Sequence, residues 1–153
     1  MTFHDQPMSL EDLAFPRAGQ ARSDTRAIPT GTIDLVLPYP PSVNGYWRHT
    51  MIQGKPRVLI SAEGRKYRTQ VHHAILMHTP SQRKAPSGRL AVNITAHAPD
   101  RRARDLDNIN KGLLDALVHA GVMADDSLID RLTVERGSIV KGGCVRVRIG
   151  GMI

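Results

Sequence analysis

Acidic and basic side chains are crowded into residues 100–111, here called the acid-arginine segment, whose sequence is DRRARDLDNINK. Asp105 and Asp107 are two residues apart, so both carboxylates can converge on one point if Asp105 is extended and Asp107 opens a helix. Carboxylate oxygens suit Mg²⁺, which usually takes one or two protein carboxylates and leaves its other positions to water and phosphate oxygens. Lys111 lies one helical turn after Asp107 and could reach a phosphate bound at such a metal.

A second acidic pair, Asp125 and Asp126, follows the predicted end of the next helix. One of these carboxylates can approach the start of that helix only if the packing brings the chain back. Three carboxylates, Lys111 and the neighbouring arginines would then form a site for metal-assisted hydrolysis of a phosphodiester. In such a site the substrate backbone would be held by the arginines of the segment, Arg101, Arg102 and Arg104.

A purely structural explanation of the same residues is also open. An aspartate at a helix start is a common N-cap, and Asp107 with Lys111 is an ordinary helical ion pair. The arginines can simply form a solvated turn. Acids interleaved with arginines where a strand ends, in a basic chain, favour the metal site over this explanation.

Hydrophobic periodicity predicts that a strand leads into the acid-arginine segment and that a helix follows it. Residues 90–97 alternate apolar and polar side chains, as in a strand. The apolar positions of residues 109–120 repeat at helical spacing, with Gly121 as the stop. Further strands are predicted over residues 32–37, 57–60, 129–136 and 144–149, and a further helix over residues 62–78. This order predicts an α/β (α+β) domain with one mixed β-sheet and two packed helices.

Positive charge is concentrated in the part of the chain that is predicted to fold. The 153 residues carry a formal net charge of +7 at pH 7. Residues 1–30 lack a persistent period, are predicted to form a mobile extension, and hold three arginines against four acidic residues, which leaves +8 on the rest. Excess positive charge favours a polyanionic partner. Aromatic residues make up only 4% of the chain, which argues against a broad stacking platform for single strands.

The number of cysteines and the length of the apolar runs indicate where in the cell the protein is located. Cys144 is the single cysteine, so the chain forms no internal disulfide and no cysteine-based zinc cluster, and a cytoplasmic location is expected. No run reaches the roughly 18 apolar residues of a membrane span. The first residues also lack the order of a signal peptide, so no membrane contact is expected.

The acid-arginine segment resembles the RusA family of Holliday junction resolvases. The similarity includes residues 99–108, Lys111, and the stretches at 114–117, 120–121 and 125–126. It also includes the motif PPSVNGYWRH at residues 40–49, SAEG at 61–64 and YR at 67–68. Together these motifs cover about residues 32–150, nearly all of the part predicted to be ordered.

The resemblance implies a small homodimeric endonuclease that binds four-way DNA junctions and makes paired, symmetric nicks with Mg²⁺ or Mn²⁺ during recombination and repair. The family's essential acids fall on Asp105, Asp107 and Asp126, which would bind the metal, and its catalytic lysine falls on Lys111. Arg104 matches a basic residue associated with DNA binding. A dimer has a physical motive, because a two-fold symmetric junction needs two like cuts.

Two further groups of residues have a functional and a structural interpretation. In residues 44–49, Asn44, Arg48 and His49 could contact phosphates while the aromatic pair Tyr46 and Trp47 stacks on an opened base, or the aromatics could pack on the sheet. The basic residues Lys141, Arg146 and Arg148 could extend a basic face, or protect an edge strand from pairing.

Two other functions remain compatible with the residues. One is a nuclease selective for other branched DNA, such as flaps or replication forks. The other is a non-catalytic DNA-binding module, in which the acids cap the helix and the basic face holds the phosphates.

Overall fold

The computed structural model describes residues 31–152. Its helices and strands follow one another along the chain in nearly the order that the sequence predicts. The predicted mobile extension over residues 1–30 lies outside the described residues. The strands are β1 (Ile33–Pro38), β2 (Trp47–Ile52), β3 (Lys55–Ile60), β4 (Leu90–His97), β5 (Ile129–Arg136) and β6 (Cys144–Gly151). The helices are α1 (Val43–Tyr46), α2 (Ala62–Leu76) and α3 (Asn110–His119).

Four of the five predicted strands form a mixed sheet, in the order β1, β6, β4, β5, whereas the predicted strand at residues 57–60, part of β3, lies in a second sheet with β2. Strand β6 runs antiparallel to both of its neighbours, whereas β4 and β5 are parallel. Parallel neighbours need a crossover connection, and α3 lies within it. The acid-arginine segment is the first half of this crossover, which places it where β4 ends.

One face of the sheet is buried and carries the core. Alternate residues of β1, β4 and β6 point to this face, and Leu35, Val92 and Val147 are fully buried. Buried side chains of α2 and α3, among them Val71 and Leu117, belong to the same core cluster. The predicted arrangement of two helices on a mixed sheet is confirmed.

The opposite face of the sheet is polar. Arg146 and Arg148 of β6 both bind Asp34 of β1, with Nη2 to Oδ2 distances of 2.7 and 3.1 Å. The interpretation of these arginines as protection for an edge strand is wrong, because β6 lies inside the sheet between β1 and β4. Their charge is partly neutralised by Asp34, so they add less to a basic face than their number suggests.

Strands β2 and β3 form a separate two-stranded ribbon that contacts α1 and α2. Its turn has positive φ at Gln53 (51°) and Gly54 (72°), the conformation of a tight turn whose twist matches a hairpin. The sequence predicted part of β3 but neither β2 nor α1. Both faces of the ribbon are accessible, and Met51 and Val58 are 63% and 56% exposed.

The described part of the chain contains no helix with both the length and the apolar character needed to cross a bilayer.

Candidate active site

The acid-arginine segment leaves β4 as an irregular loop and enters α3 through a short 3-10 turn, Asp107–Ile109. Ile109 is buried and anchors this turn to the core, while Leu106 is half-buried. Asp105 and Asp107, on either side of Leu106, are exposed. The alternation of inward apolar and outward acidic residues therefore presents two carboxylates to solvent at the sheet end.

Asp100 differs from the other acids of the segment, because its carboxylate is used within the loop. Its Oδ1 accepts hydrogen bonds from the backbone N–H of Arg102 at 2.9 Å and from Nη1 of Arg104 at 2.7 Å. Nη2 of Arg136, at the end of β5, donates to the backbone oxygen of Arg104 at 2.7 Å. Asp100 and Arg104 thus fold the loop and tie it to the neighbouring strand.

The Arg104 hydrogen bond, followed by that of the Arg102 N–H, lowers the pKa of Asp100 to about 2. We expect Arg104→Gln to return this pKa towards the ordinary value of 3.8, and Arg101→Gln to leave it unchanged. Because the folded-state pKa is lowered, the stabilising contribution is present above pH 3.8 and is lost as the pH falls through about 2. Carboxyl chemical shifts followed against pH by NMR would check this, and an unchanged pKa in Arg104→Gln would contradict the ion pair.

Asp105 and Asp107 have no such structural role. Neither side chain caps the 3-10 turn or α3. Within residues 31–152 neither one forms an ion pair or a side-chain hydrogen bond, and Asp107 is not paired with Lys111. The capping and ion-pair explanation therefore holds for Asp100 but not for these two carboxylates.

The two residues of the second acidic pair differ in their interactions: Asp125 caps a turn, whereas Asp126 does not. The Asp125 carboxylate accepts from the backbone N–H of Ser127 at 2.8 Å, and the Ser127 hydrogen bonds hold its pKa below the usual value. Asp126 is exposed and begins the Asp126–Leu128 turn that enters β5. The first residue of β5, Ile129, pairs with Leu90 at the start of β4, whereas Leu106 lines a cavity together with Ala96 and Ala98 at the end of β4.

One chain therefore does not gather the three predicted metal ligands. Among residues 31–152, no three His, Cys, Asp or Glu side chains are grouped closely enough to hold a metal ion. Asp105 and Asp107 alone still fit Mg²⁺, because this ion commonly takes one or two protein carboxylates and completes its shell with water and phosphate. Neither carboxylate has a competing cationic partner in the described chain.

A cavity of about 300 Å³ opens beside these acids, at the ends of β4 and β5. Leu106 forms part of its wall. Its cationic lining residues are Arg101, Arg102 and Arg136, against the single acid Asp100. Of the three arginines of the acid-arginine segment that were predicted to bind DNA, Arg101 and Arg102 line a cavity with a surplus of positive charge, while Arg104 is bound to Asp100.

Lys111 lies in a second, shallow apolar hollow of about 520 Å³ between α3 and the ribbon. Val43, Trp47, His49 and Val58 form the rest of this hollow. The predicted DNA contacts Asn44, Arg48 and His49 are all exposed. His49 therefore shares this hollow with Lys111, and α1, which contains Asn44, contacts the Asp107–Ile109 turn.

Tyr46 is not available to stack on a base, because it is fully buried. Its hydroxyl donates to the Asp115 carboxylate and accepts from Nε of Arg68 at 3.1 Å, which joins α1, α2 and α3. Burial, with the Asp115 carboxylate, raises the pKa of Tyr46 to about 12. The interpretation that the aromatics pack inward is correct for Tyr46, although it packs on helices rather than on the sheet.

The sequence predicts Ser61 as the N-cap of α2, which is confirmed, but not the contacts that hold Tyr46 between Ser61 and Gly112. The Ser61 hydroxyl caps α2 by accepting a hydrogen bond from the Gly64 N–H at 2.9 Å. The backbone N–H of Ser61 donates to the backbone carbonyl oxygen of Tyr46 at 3.0 Å. A Cβ on Gly112 would lie 2.9 Å from the Tyr46 ring. The available signal was the run SAEG together with a glycine inside a helix, since such a glycine usually reflects a close approach.

The fold and these residues define a small α+β domain. At the ends of β4 and β5 it combines two unpaired carboxylates, Asp105 and Asp107, with an arginine-rich cavity, and this surface is suited to binding a phosphate backbone. The sequence profile of the Endodeoxyribonuclease RusA family matches residues 38–150, and the chain belongs to this family.

Several relatives cover most of the chain. It is 45% identical to the crossover junction endodeoxyribonuclease of Enterobacteria phage HK97 over 118 residues, and this alignment covers 75% of this chain and 91% of the relative. It is 36% identical over 121 residues to the crossover junction endodeoxyribonuclease RusA of Escherichia coli K12, which covers 79% of this chain and 96% of the relative. The corresponding enzyme of Enterobacteria phage 82 is 38% identical over the same shares.

Proposed function

We propose that this chain is a metal-dependent endodeoxyribonuclease that resolves Holliday junctions by paired, symmetric nicks. The proposal depends on one observation in the acid-arginine segment. Asp100 is paired with Arg104, whereas Asp105 and Asp107 are exposed and have no partner within residues 31–152. Membership of the endodeoxyribonuclease family and the names of the relatives support the choice of substrate.

In the proposed mechanism Asp105 and Asp107 hold Mg²⁺, for which Mn²⁺ could substitute. When bound, the metal supplies Lewis-acid polarisation of the phosphoryl group and lowers the pKa of an attacking water. Arg101 and Arg102 bind the DNA backbone and fix its register. The Lys111 ammonium donates to an oxygen of the scissile phosphate and stabilises the charge that develops there.

Asp126 is assigned to the metal site by resemblance alone. Asp126 is exposed, whereas Asp125 is occupied by its hydrogen bond with Ser127, but within residues 31–152 of one chain Asp126 is not grouped with Asp105 and Asp107. We infer a two-fold homodimer, because two symmetric cuts in one junction need two like sites. A cytoplasmic location agrees with the single buried thiol, Cys144.

The test is cleavage of a synthetic four-way junction by the full-length protein, with the nicks mapped. We expect nicks at symmetric positions that require Mg²⁺, slower cleavage of a fork or linear duplex, and the mass of two chains by light scattering. Binding that resists EDTA, with no nicks at any Mg²⁺ concentration, would identify a non-catalytic DNA-binding module instead. Faster cleavage of flaps or forks than of the junction would replace the proposed substrate by another branched DNA.

A further inference from the structure

The cavity at the ends of β4 and β5 has two chemically different parts. Apolar atoms predominate in its lining, with Ala96, Ala98, Leu106 and Ile139 contributing aliphatic side chains and Tyr39 an aromatic ring. The rim carries the arginines described above. A purely ionic ligand would leave the apolar floor in water, and a purely apolar ligand would leave the arginines without a counter-charge.

The rim arginines are largely available to a ligand. Arg101 has no ion pair or side-chain hydrogen bond within residues 31–152. Arg102 makes a looser contact to Asp100, with 3.3 Å between Nε and Oδ2, and its side chain is 84% exposed. Asp100 is already neutralised by Arg104 at 2.7 Å. The rim therefore favours an anion, and the polar part of the ligand should be a phosphate.

A nucleotide has both properties, since it joins a flat base to a phosphate. The volume of about 300 Å³ lies at the lower end of the range for ligand pockets. A cavity of this size can hold a base. A base can enter only after it has left its stack, which costs least where stacking is already interrupted. A branch point in DNA is such a place.

The position of the cavity connects it to the chemistry. Leu106 lines the cavity, and the residues on either side of it are the exposed Asp105 and Asp107. A base on the Leu106 side chain would hold its own phosphate within reach of those carboxylates.

We propose that this cavity receives one unstacked nucleobase beside the scissile phosphate and thereby sets the sequence preference of cleavage. The inference rests on the proposed function, because it names a determinant of specificity for the same site. Ala98 is the position at which the cavity can be filled, since its side chain lines the cavity and is only half-buried.

The experiment compares wild type, Ala98→Leu and Ala62→Leu on a set of four-way junctions that differ only in the bases next to the cut. Ala62 is exposed at the start of α2, outside the cavity, so this variant controls for the added bulk. For wild type and Ala62→Leu we expect the best and worst sequences to differ by about tenfold or more in cleavage rate. Ala98→Leu should lose this difference while binding junctions as tightly, because phosphate contacts carry the affinity.

A second measurement does not depend on the Ala98 variant being folded. 2-Aminopurine is placed beside the cut site, and its fluorescence is followed on addition of the cleavage-deficient Asp107→Asn protein. Entry into the cavity should change the signal at that position and not at a position in a duplex arm. Equal signals at both positions, or an unchanged sequence preference in folded Ala98→Leu, would overturn the cavity assignment. Absence of cleavage by wild type would instead overturn the proposed function.

Discussion

Asp107→Asn should remove junction cleavage while leaving junction binding intact. The substitution keeps the size of the side chain and removes its charge, so the turn into α3 should be preserved, because the Asp107 side chain caps neither the turn nor the helix. A carboxylate that holds a catalytic Mg²⁺ contributes several kcal/mol to transition-state stabilisation, so cleavage should fall by about 10³-fold or more. Affinity should stay close to wild type, because arginines supply most of it.

The matched control is Asp100→Asn, in the same segment. Asp100 binds Arg104 and the Arg102 N–H, and an asparagine can still accept both hydrogen bonds through its amide oxygen. We therefore expect a much smaller loss of cleavage from Asp100→Asn than from Asp107→Asn. Single-turnover cleavage with saturating protein separates the chemical step from binding, which gel shift in EDTA measures independently. Undiminished cleavage by Asp107→Asn, or equal losses in the two variants, would disprove the metal site at Asp105 and Asp107.

The acidic segment also shows what the sequence could and could not predict. Strand β4 and helix α3 have strong periods, so their boundaries were predicted closely and the placement of Asp105 and Asp107 between them followed. The two-residue spacing distinguishes Asp105 and Asp107 from Asp100 in the sequence, but the pairing of Asp100 with Arg104 was not predicted, because it depends on the loop conformation. The distance of Asp126 from the segment depends on the parallel pairing of β4 with β5, which periodicity does not encode.

Strand β2 was missed for a different physical reason. Its residues are exposed or half-exposed along the whole strand, so they lack the apolar and polar alternation that packing against a core imposes. Its turn uses Gln53 and Gly54 instead of the common Asn-Gly or Asp-Gly pair. The ribbon could be recognised only from its pairing partner, and the hollow containing Lys111 and His49 was not predictable without it.

Gly64→Ala should destabilise the protein, although the same change in an exposed helix usually stabilises it by about 1 kcal/mol. A Cβ at Gly64 would lie 2.5 Å from the backbone oxygen of Tyr46 and 3.0 Å from Cγ2 of Ile60. The Tyr46 oxygen cannot turn away, because it accepts the Ser61 N–H at 3.0 Å. Helix α1 would have to move off α2, at a cost of about 3 kcal/mol in the free energy of unfolding. Urea unfolding followed by circular dichroism would measure it.

Gly45→Ala is the informative comparison, because its Cβ would also lie closer than 3.0 Å to a neighbouring atom, but that atom belongs to a side chain and not to the backbone. Its Cβ would lie 2.7 Å from Oε2 of Glu63, the end of a flexible exposed side chain that can rotate away. We expect its free energy of unfolding to change by less than about 1 kcal/mol. The contrast matters for function, because Tyr46 also packs against Gly112, next to Lys111. Displacing α1 in Gly64→Ala should therefore lower cleavage at temperatures where the variant is still folded. If Gly64→Ala were neutral or stabilising, the packing around Tyr46 would adjust easily to the added Cβ and would not position Lys111.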